Sequence, residues 1–201
     1  MAPYDVIVVG AGSAGALLAA QLSRDPDTSV LLLEAGPDYR SADCPAAVRA
    51  PNFFGALDEP NRIWPNLLAT RAARQDERLY LRGRGVGGSS AVNAMGAIRG
   101  TVDDYERWAL ELGCSGWGWP EMLAAFLSVE DDLDYGGDRL HGQGGPIPLS
   151  RVPFEELPPL DRALRVAMAD LGYPTCDDYH APGATGVSRV AQTMRGGRRV
   201  S

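Results

Sequence analysis

The sequence contains few of the residues that mark several common classes of protein. Its three cysteines, Cys44, Cys114 and Cys176, are odd in number and widely spaced, which fits neither a disulfide framework nor a CxxC metal pair. They are most simply reduced thiols, so a cytoplasmic location is expected. No apolar run approaches the ~20 residues that a membrane-spanning helix needs. No basic segment with an apolar core opens the chain, so neither membrane insertion nor a signal peptide is expected.

Positive charge is also scarce. The 201 residues include 19 Lys and Arg against 26 Asp and Glu, which gives a formal net charge of −7. Binding to nucleic acid or to an anionic membrane surface is therefore not expected, because the overall electrostatic interaction would be repulsive. The apolar fraction of 45% is ordinary for a globular core, and the length allows one large domain or two small ones.

The sequence begins with a pattern that predicts a strand, a glycine-rich turn and a helix. Residues 5–9 are dominated by Val and Ile and lead into Gly10, Gly12 and Gly15, after which small and leucine residues recur at helical spacing. Gly10 would permit the turn, Gly12 would let a ligand approach the backbone, and Gly15 would let helix and strand pack closely. The unpaired N–H groups of the first helical turn would then face a pyrophosphate.

A second strand-like run, residues 29–33, ends in Glu34, nineteen residues after Gly15. This is near the spacing at which an acid meets the adenosine ribose of a dinucleotide. The carboxylate could accept hydrogen bonds from both ribose hydroxyls, and it would repel a 2′-phosphate, which disfavours NADP. The pattern predicts a dinucleotide-binding βαβ unit; the alternative is an ordinary βαβ unit whose glycines only make turns.

A second glycine-rich stretch indicates a family. Residues 83–93 read Gly-Arg-Gly-Val-Gly-Gly-Ser-Ser-Ala-Val-Asn, a backbone that a large planar ligand can approach without Cβ clashes, with Ser89 or Ser90 able to cap a following helix. Together with the first glycine motif and the ending Leu33-Glu34-Ala35-Gly36, it resembles the glucose-methanol-choline (GMC) family of FAD-dependent oxidoreductases. The resemblance continues through Arg99-Gly100, Asp104-Tyr105, Trp108 and the segment Gly116-Trp117-Gly118-Trp119.

The resemblance implies a fold, a cofactor and a reaction. The fold class is α/β: an incomplete Rossmann-like FAD-binding domain at residues 1–130, followed by the beginning of a substrate-side α+β region at residues 131–201. The cofactor is FAD, and the reaction is hydride transfer from the CH–OH group of a small-molecule alcohol to the flavin. The cofactor-binding residues carried over from the family motifs are Gly10, Gly12, Ser13, Ala14, Gly15, Glu34, Ala35, Arg84, Val86, Gly87, Gly88, Ser89, Asn93, Ala94 and Met95.

The resemblance also implies that two features of some family members are not expected here, a covalent link to the flavin and the catalytic histidine. Relatives that tether the flavin through histidine can carry it immediately before the motif asparagine, where this chain has Val92, so no such covalent link is expected. The catalytic histidine of the family belongs to a later segment. Neither His141 nor His180 stands in a matching motif, so no catalytic residue is assigned, and both are expected to be surface or supporting residues. We expect an N-terminal portion of a longer oxidoreductase that is inactive by itself, with apolar surface exposed on its short parallel sheet.

Local signals predict the remaining elements. The stretch from residue 39 to about residue 78 contains several prolines and no sustained hydrophobic periodicity, and it is expected to be an ordered excursion over the domain. The acidic run at residues 130–134 is expected to be solvated surface and not a metal site. Three helices are expected, the first capped by Thr101 with Asp104, the second from Trp119-Pro120 to about Val129, and the third after Pro158-Pro159. A strand is expected within residues 186–194, followed by a turn at Gly196-Gly197.

Three functions remain open from the sequence. The first is a GMC-type dehydrogenase or oxidase, for which the choice of alcohol and of electron acceptor stays open. The second is a non-catalytic nucleotide-binding module or truncated pseudo-enzyme. The third is an NAD-dependent dehydrogenase, which would not need the glycine-serine motif at residues 83–93.

Overall fold

The computed structural model describes residues 3–200, which form two compact units. The first unit comprises residues 3–95 and 197–199, and the second comprises residues 96–196 and 200. In the part of the chain so described, none of the helices has the length and hydropathy needed to cross a bilayer. The boundary expected at residue 130 concerns cofactor and substrate contacts, and it stays a prediction.

The first unit begins with the predicted βαβ arrangement. Strands β1 (Val6–Val9) and β2 (Val30–Leu33) pair in parallel, and helix α1 (Ser13–Leu22) connects them. Because the register joins Val9 to Leu33, the loops that follow both strands lie at the same edge of the sheet. This is a partial Rossmann-like α/β fold, and it confirms the expected fold class.

The two strands leave apolar side chains in solvent. Val9 is 81% exposed and Ile7 is 57% exposed, and Leu33 is also exposed. A parallel sheet is normally covered on both faces, so its strands consist of apolar residues throughout. The exposed apolar surface expected from the sequence is therefore present on the described strands.

The rest of the first unit consists of short elements and loops. Its apolar core contains Val48, Ala56 and Val92. Strands β3 (Leu68–Ala69) and β4 (Arg78–Leu79) are antiparallel to each other, and a 3₁₀ turn covers Gly88–Ala91. The other elements are helices α2 (Ala46–Arg49) and α3 (Phe53–Leu57) and, late in the chain, strand β9 (Arg198–Arg199).

The second unit begins with two helices at their predicted positions. Helix α4 (Val102–Leu110) starts at Thr101, which forms the predicted capping box with Asp104. Helix α5 (Trp119–Val129) ends where its apolar repeat ends. The Tyr105 ring lies 5.6 to 6.1 Å, between ring centroids, from three aromatic rings of the two helices, those of Trp108, Trp119 and Phe126.

A small mixed sheet completes the second unit. Strand β5 (Glu130–Asp132) runs parallel to β6 (Ile147–Arg151), and β7 (Ala191–Gln192) pairs antiparallel with β6. The strand expected within 186–194 is therefore much shorter than predicted, with β8 (Met194–Arg195) following it. Helix α6 (Pro159–Asp170) forms as predicted, and its large apolar side chains Leu160, Leu164 and Val166 are exposed.

Candidate cofactor-binding site

A cavity of about 680 Å³ opens in the first unit where β1 and β2 end. Open α/β sheets bind their ligands in the crevice outside the carboxyl ends of the strands. Three segments form most of its wall, namely the β1–α1 turn, the end of β2 and the second glycine-rich loop, and Trp64 completes it. The lining residues are Val9, Gly10, Gly12, Ser13, Ala14, Gly15, Leu33, Glu34, Ala35, Trp64, Arg82, Gly83, Gly88 and Ser89.

The three glycines of the first turn differ in what their lack of a side chain permits. Gly10 has φ +94°, a left-handed conformation that side chains disfavour. A Cβ on Gly15 would lie 2.0 Å from the carbonyl oxygen of Gly10, so the fold itself forbids it. Gly12 has φ −75°, and a Cβ there would meet nothing closer than the Cα of Gly88 at 3.9 Å. The fold does not require glycine at position 12, and the free space fits a ligand that approaches the backbone.

The start of α1 offers hydrogen-bond donors at this position. Gly12 is the N-cap residue, and no side chain of the described residues caps it. The first N–H groups of a helix have no acceptor within the helix, and together with the helix dipole they favour an anion. The first turn of α1 therefore fits a pyrophosphate group.

Glu34 joins the three segments around the cavity. Its Oε1 accepts hydrogen bonds from the backbone N–H groups of Gly36 and Gly85, both at 2.9 Å, and its Oε2 accepts one from Ala11 at 2.8 Å. Partial burial alone would raise the pKa of Glu34, but the three amide donors outweigh it and hold the pKa below its usual value. A carboxylate offers about four lone-pair positions. The three amides occupy three of them, so about one acceptor position stays free, and it lies on Oε2.

We expect Glu34→Gln to destabilise the flavin-free chain by about 1–3 kcal/mol, because the amide nitrogen would face a backbone donor in place of an acceptor. Urea unfolding measures this loss. Glu77→Gln is the matched control, because Glu77 is an exposed residue of the same unit. Equal stability of the two variants would show that Glu34 does not organise the loops.

The second glycine-rich loop packs against the first turn. The Gly87 N–H donates to the Ala11 carbonyl at 2.9 Å, and a Cβ on Gly88 would lie 2.9 Å from the Cα of Gly12. The expectation that Ser89 or Ser90 caps a helix is wrong, because the N-cap residue of the 3₁₀ turn is Gly87 and no side chain within residues 3–200 caps it. Instead, the Ser89 Oγ accepts from the Gly83 N–H at 3.0 Å and the Ser90 Oγ donates to the Gly87 carbonyl. The serines therefore stabilise the loop itself.

The structure brings only some of the predicted site residues to the cavity. Trp64 and Arg82 line it although the sequence did not indicate them, since the segment around Trp64 has no periodicity that assigns it a position. Near the cavity, the Arg84 guanidinium donates to the Ala35 carbonyl at 2.6 Å. Met95 is fully buried with φ +62°. The predicted residues outside the lining are Arg84, Val86, Gly87, Asn93, Ala94 and Met95.

The acidic run of the second unit is only partly solvated: Asp134 is exposed, but the prediction is wrong for Glu130 and Asp132, which are buried. Asp132 is 3% exposed, and its carboxylate binds the Arg151 Nη1 at 2.9 and 3.0 Å. Glu130 is equally buried and pairs with Arg99. The partners lie 19 and 31 residues away in the sequence, so the local pattern of charges gives no sign of them.

His141 lies at the centre of this group. Its Nε2 is 3.0 Å from an Asp178 oxygen, and its Nδ1 is 2.9 Å from an Asp132 oxygen, an ion-pair contact without hydrogen-bond alignment. Burial alone would lower the pKa of His141, but the two carboxylates outweigh it and the pKa is raised. We call Arg99, Glu130, Asp132, His141, Arg151 and Asp178 the buried ionic cluster; its three carboxylates balance its three cations when His141 is protonated.

His180 is also buried, so of the two positions expected for the histidines, surface or supporting, the surface position applies to neither. Its Nε2 is 3.0 Å from the Ala97 carbonyl oxygen. Possible metal ligands come together at Glu130, His141 and His180. However, the Arg99 guanidinium already pairs with the Glu130 carboxylate, and both nitrogens of His141 face carboxylates. This arrangement is that of an internal ion-pair network, and its guanidinium groups disfavour an added cation.

Comparisons with known proteins agree with the geometry. The family described as GMC oxidoreductase matches residues 4–201. The chain is 38% identical over its whole length to pyridoxine 4-oxidase of Microbacterium luteolum, and 36% identical over 98% of its length to 5-(hydroxymethyl)furfural oxidase of Methylovorus sp.. It spans 39% and 38% of those relatives. The crystal structure of pyridoxine 4-oxidase from Mesorbium loti matches 99% of the chain with a TM-score of 0.85 at 38% identity, and 38% of that protein is covered.

Proposed function

The chain belongs to the GMC oxidoreductase family, and from this premise we propose that it is the FAD-binding part of an oxidoreductase acting on the CH–OH group of a small-molecule alcohol. The observation that carries the proposal is the free space at Gly12, which the fold leaves open and a dinucleotide would fill. When bound, FAD would supply the acceptor for the hydride that leaves the carbon bearing the hydroxyl group.

Each segment of the cavity has a distinct part in holding FAD. The first turn of α1, from Gly12, would bind the pyrophosphate through its backbone N–H groups. Glu34 would accept one ribose hydroxyl on the position left free on Oε2, and its charge would repel a 2′-phosphate. The loop at residues 83–95 would meet the flavin side of the cofactor.

Neither histidine is available as the base that accepts the alcohol proton. A general base must be unprotonated and within reach of that proton. Both ring nitrogens of His141 face carboxylates, which favour its protonated form and raise its pKa, and His180 is buried against the Ala97 carbonyl. We therefore propose that the 201 residues bind FAD without oxidising alcohol by themselves.

A non-catalytic nucleotide-binding module is the second candidate function. The position of the two histidines favours it, because neither can serve as the base. The two candidates make the same prediction for FAD binding by this chain and differ in whether the binding part serves an alcohol oxidation.

A cytoplasmic location is also part of the proposal. All three cysteines are free thiols, which supports it.

We expect FAD to raise the melting temperature of the 201-residue chain, because a ligand that binds only the folded state stabilises it. At 100 times the dissociation constant the gain is about 2.7 kcal/mol, equivalent to about 5–10 °C for a chain of this size. Thermal melts with FAD, NAD and NADP at equal concentration, and the visible spectrum of the chain as purified, measure the preference. A larger shift with NAD than with FAD would contradict the proposal and favour an NAD-dependent dehydrogenase.

A further inference from the structure

Arg199 is buried within the first unit beneath the loop that contains Asn93. Its residue is 7% exposed, and its guanidinium donates four hydrogen bonds. The Nε donates to the Val48 carbonyl at 3.0 Å. The Nη1 donates to the Ser90 carbonyl and to the Asn93 Oδ1, both at 3.1 Å, and the Nη2 donates to the Asn93 carbonyl at 2.6 Å. All four acceptors are neutral oxygens of the loop and of α2.

A guanidinium suits this place and a simple ammonium does not. A buried charge is costly unless hydrogen bonds satisfy it. The planar guanidinium presents five N–H donors in a fixed geometry, whereas lysine presents a compact charge on a flexible chain. Arg199 spreads its donors over Val48, Ser90 and both oxygens of Asn93, so only arginine reaches all four acceptors at once.

The hydrogen bonds to Asn93 determine the path of the residues that follow. The Asn93 Oδ1 also accepts from the Met95 N–H at 2.9 Å. Met95 is a non-glycine residue with φ +62° and is 1% exposed. The left-handed conformation costs about 1–2 kcal/mol for such a residue and persists only where the surroundings enforce it. The series from Arg199 through Asn93 to Met95 supplies that enforcement.

We propose that Arg199 is a positioning residue that fixes the backbone of residues 93–95 in the conformation that meets the flavin. The proposal rests on the proposed function, since the family motifs place Asn93, Ala94 and Met95 on the flavin side. Arg199 itself does not line the cavity and acts through Asn93. A loop fixed before the ligand arrives avoids the ordering cost of binding, so the arginine would raise the affinity for FAD without touching it.

The test compares Arg199→Met and Arg199→Lys with Arg198→Met in the 201-residue chain. Arg198 is the neighbouring arginine and is exposed, so Arg198→Met makes the same change of charge without loss of the buried contacts. Hydrogen exchange without flavin is the first measurement. We expect Arg199→Met to speed exchange of the Met95 amide about tenfold or more, which corresponds to about 1.4 kcal/mol, with Arg199→Lys intermediate and Arg198→Met unchanged.

The second measurement is FAD affinity by flavin fluorescence, with visible circular dichroism of the bound flavin. We expect Arg199→Met to weaken binding at least about tenfold and to change the dichroism, which a general loss of stability alone would not do. If Arg199→Met does not fold, Arg199→Lys provides the same test, and Asn93→Ala provides the exchange measurement alone, because it removes the acceptor of the Met95 amide.

The outcomes separate this inference from the proposed function. Exchange at residues 93–95 that is the same in Arg199→Met and Arg198→Met overturns the role of Arg199, whatever the chain binds. Native affinity and dichroism in Arg199→Met also overturn it. If the native chain takes up no FAD, the proposed function fails, and the exchange measurement still decides whether Arg199 fixes the loop.

Discussion

Replacing Gly12 by alanine is expected to weaken FAD binding about 100-fold, or about 2.7 kcal/mol, while the flavin-free chain stays as stable as the native one within about 0.5 kcal/mol. The new methyl group would meet no protein atom closer than 3.9 Å, and the backbone has an ordinary extended conformation with φ −75°. The methyl would instead occupy the space through which the pyrophosphate reaches the first turn of α1.

Gly15→Ala is the matched variant, because it adds the same methyl group three residues away. There the Cβ would lie 2.0 Å from the Gly10 carbonyl oxygen, a backbone atom that cannot swing aside. We expect a loss of about 3 kcal/mol of unfolding free energy. Fluorescence titration with FAD and urea unfolding measure the two quantities on both variants. Equal loss of stability in the two variants, or native FAD affinity in Gly12→Ala, would contradict the assignment of Gly12 to the ligand.

The second large effect is expected in the buried ionic cluster. Asp132→Asn should destabilise the second unit by about 3–5 kcal/mol, because it leaves Arg151 and His141 buried without their shared carboxylate. Asp177→Asn is the control, since Asp177 is an exposed neighbour of the cluster residue Asp178. Urea unfolding followed by the fluorescence of the tryptophans of this unit measures both. A loss below about 1 kcal/mol in Asp132→Asn would show that the cluster is solvated like a surface pair.

The same cluster makes stability depend on pH. Because the folded pKa of His141 lies above its unfolded value of about 6.5, its contribution is fully present below that pH and is lost as the pH rises through the folded value. The pKa values of Asp132 and Asp178 are lowered, so their effect on the pH dependence of stability has the opposite sign. Their contribution is present above about pH 4 and is lost in stronger acid. The cluster therefore contributes most in mildly acidic solution.

The contribution of His180 to stability changes with pH in the opposite direction to that of His141, so variants of each residue are needed to separate the two contributions. Burial and the nearby Arg99 charge lower the pKa of His180, so its contribution is present above about pH 6.5 and is lost in acid. We expect the stability difference between native chain and His141→Gln to shrink from pH 6 to pH 9. His180→Gln serves as the control with the opposite slope. A His141 difference that does not change with pH would contradict protonation of this residue in the folded chain.

The sequence predicted the elements whose signals are local. An apolar strand, a glycine turn and a helical repeat follow one another at the start of the sequence, and each signal for β1, α1 and β2 lies within a segment of about ten residues. The Thr101–Asp104 capping box likewise marks the start of α4. The reasons for Gly10 and Gly15 were also predictable, since a turn and a close helix–strand contact need glycine wherever this motif folds.

Contacts between distant residues could not be predicted. The acidic run looked solvated because its partners Arg99, Arg151 and His141 lie elsewhere in the chain. The role of Glu34 in joining three loops depends on the Gly85 amide, 51 residues away. No local pattern in the sequence distinguishes Arg199 from the arginine beside it, because its acceptors on Ser90 and Asn93 lie more than 100 residues upstream. These features follow only from the folded backbone.

Hydrogen exchange of the 201-residue chain with and without FAD tests the central claim most directly. If FAD lies in the cavity, its addition should slow exchange of the amides that line it, namely those of residues 10, 12–15, 34, 35, 83, 88 and 89. The second unit should exchange at an unchanged rate in the same sample. Protection confined to residues outside the cavity wall, or no protection at saturating FAD, would contradict the account.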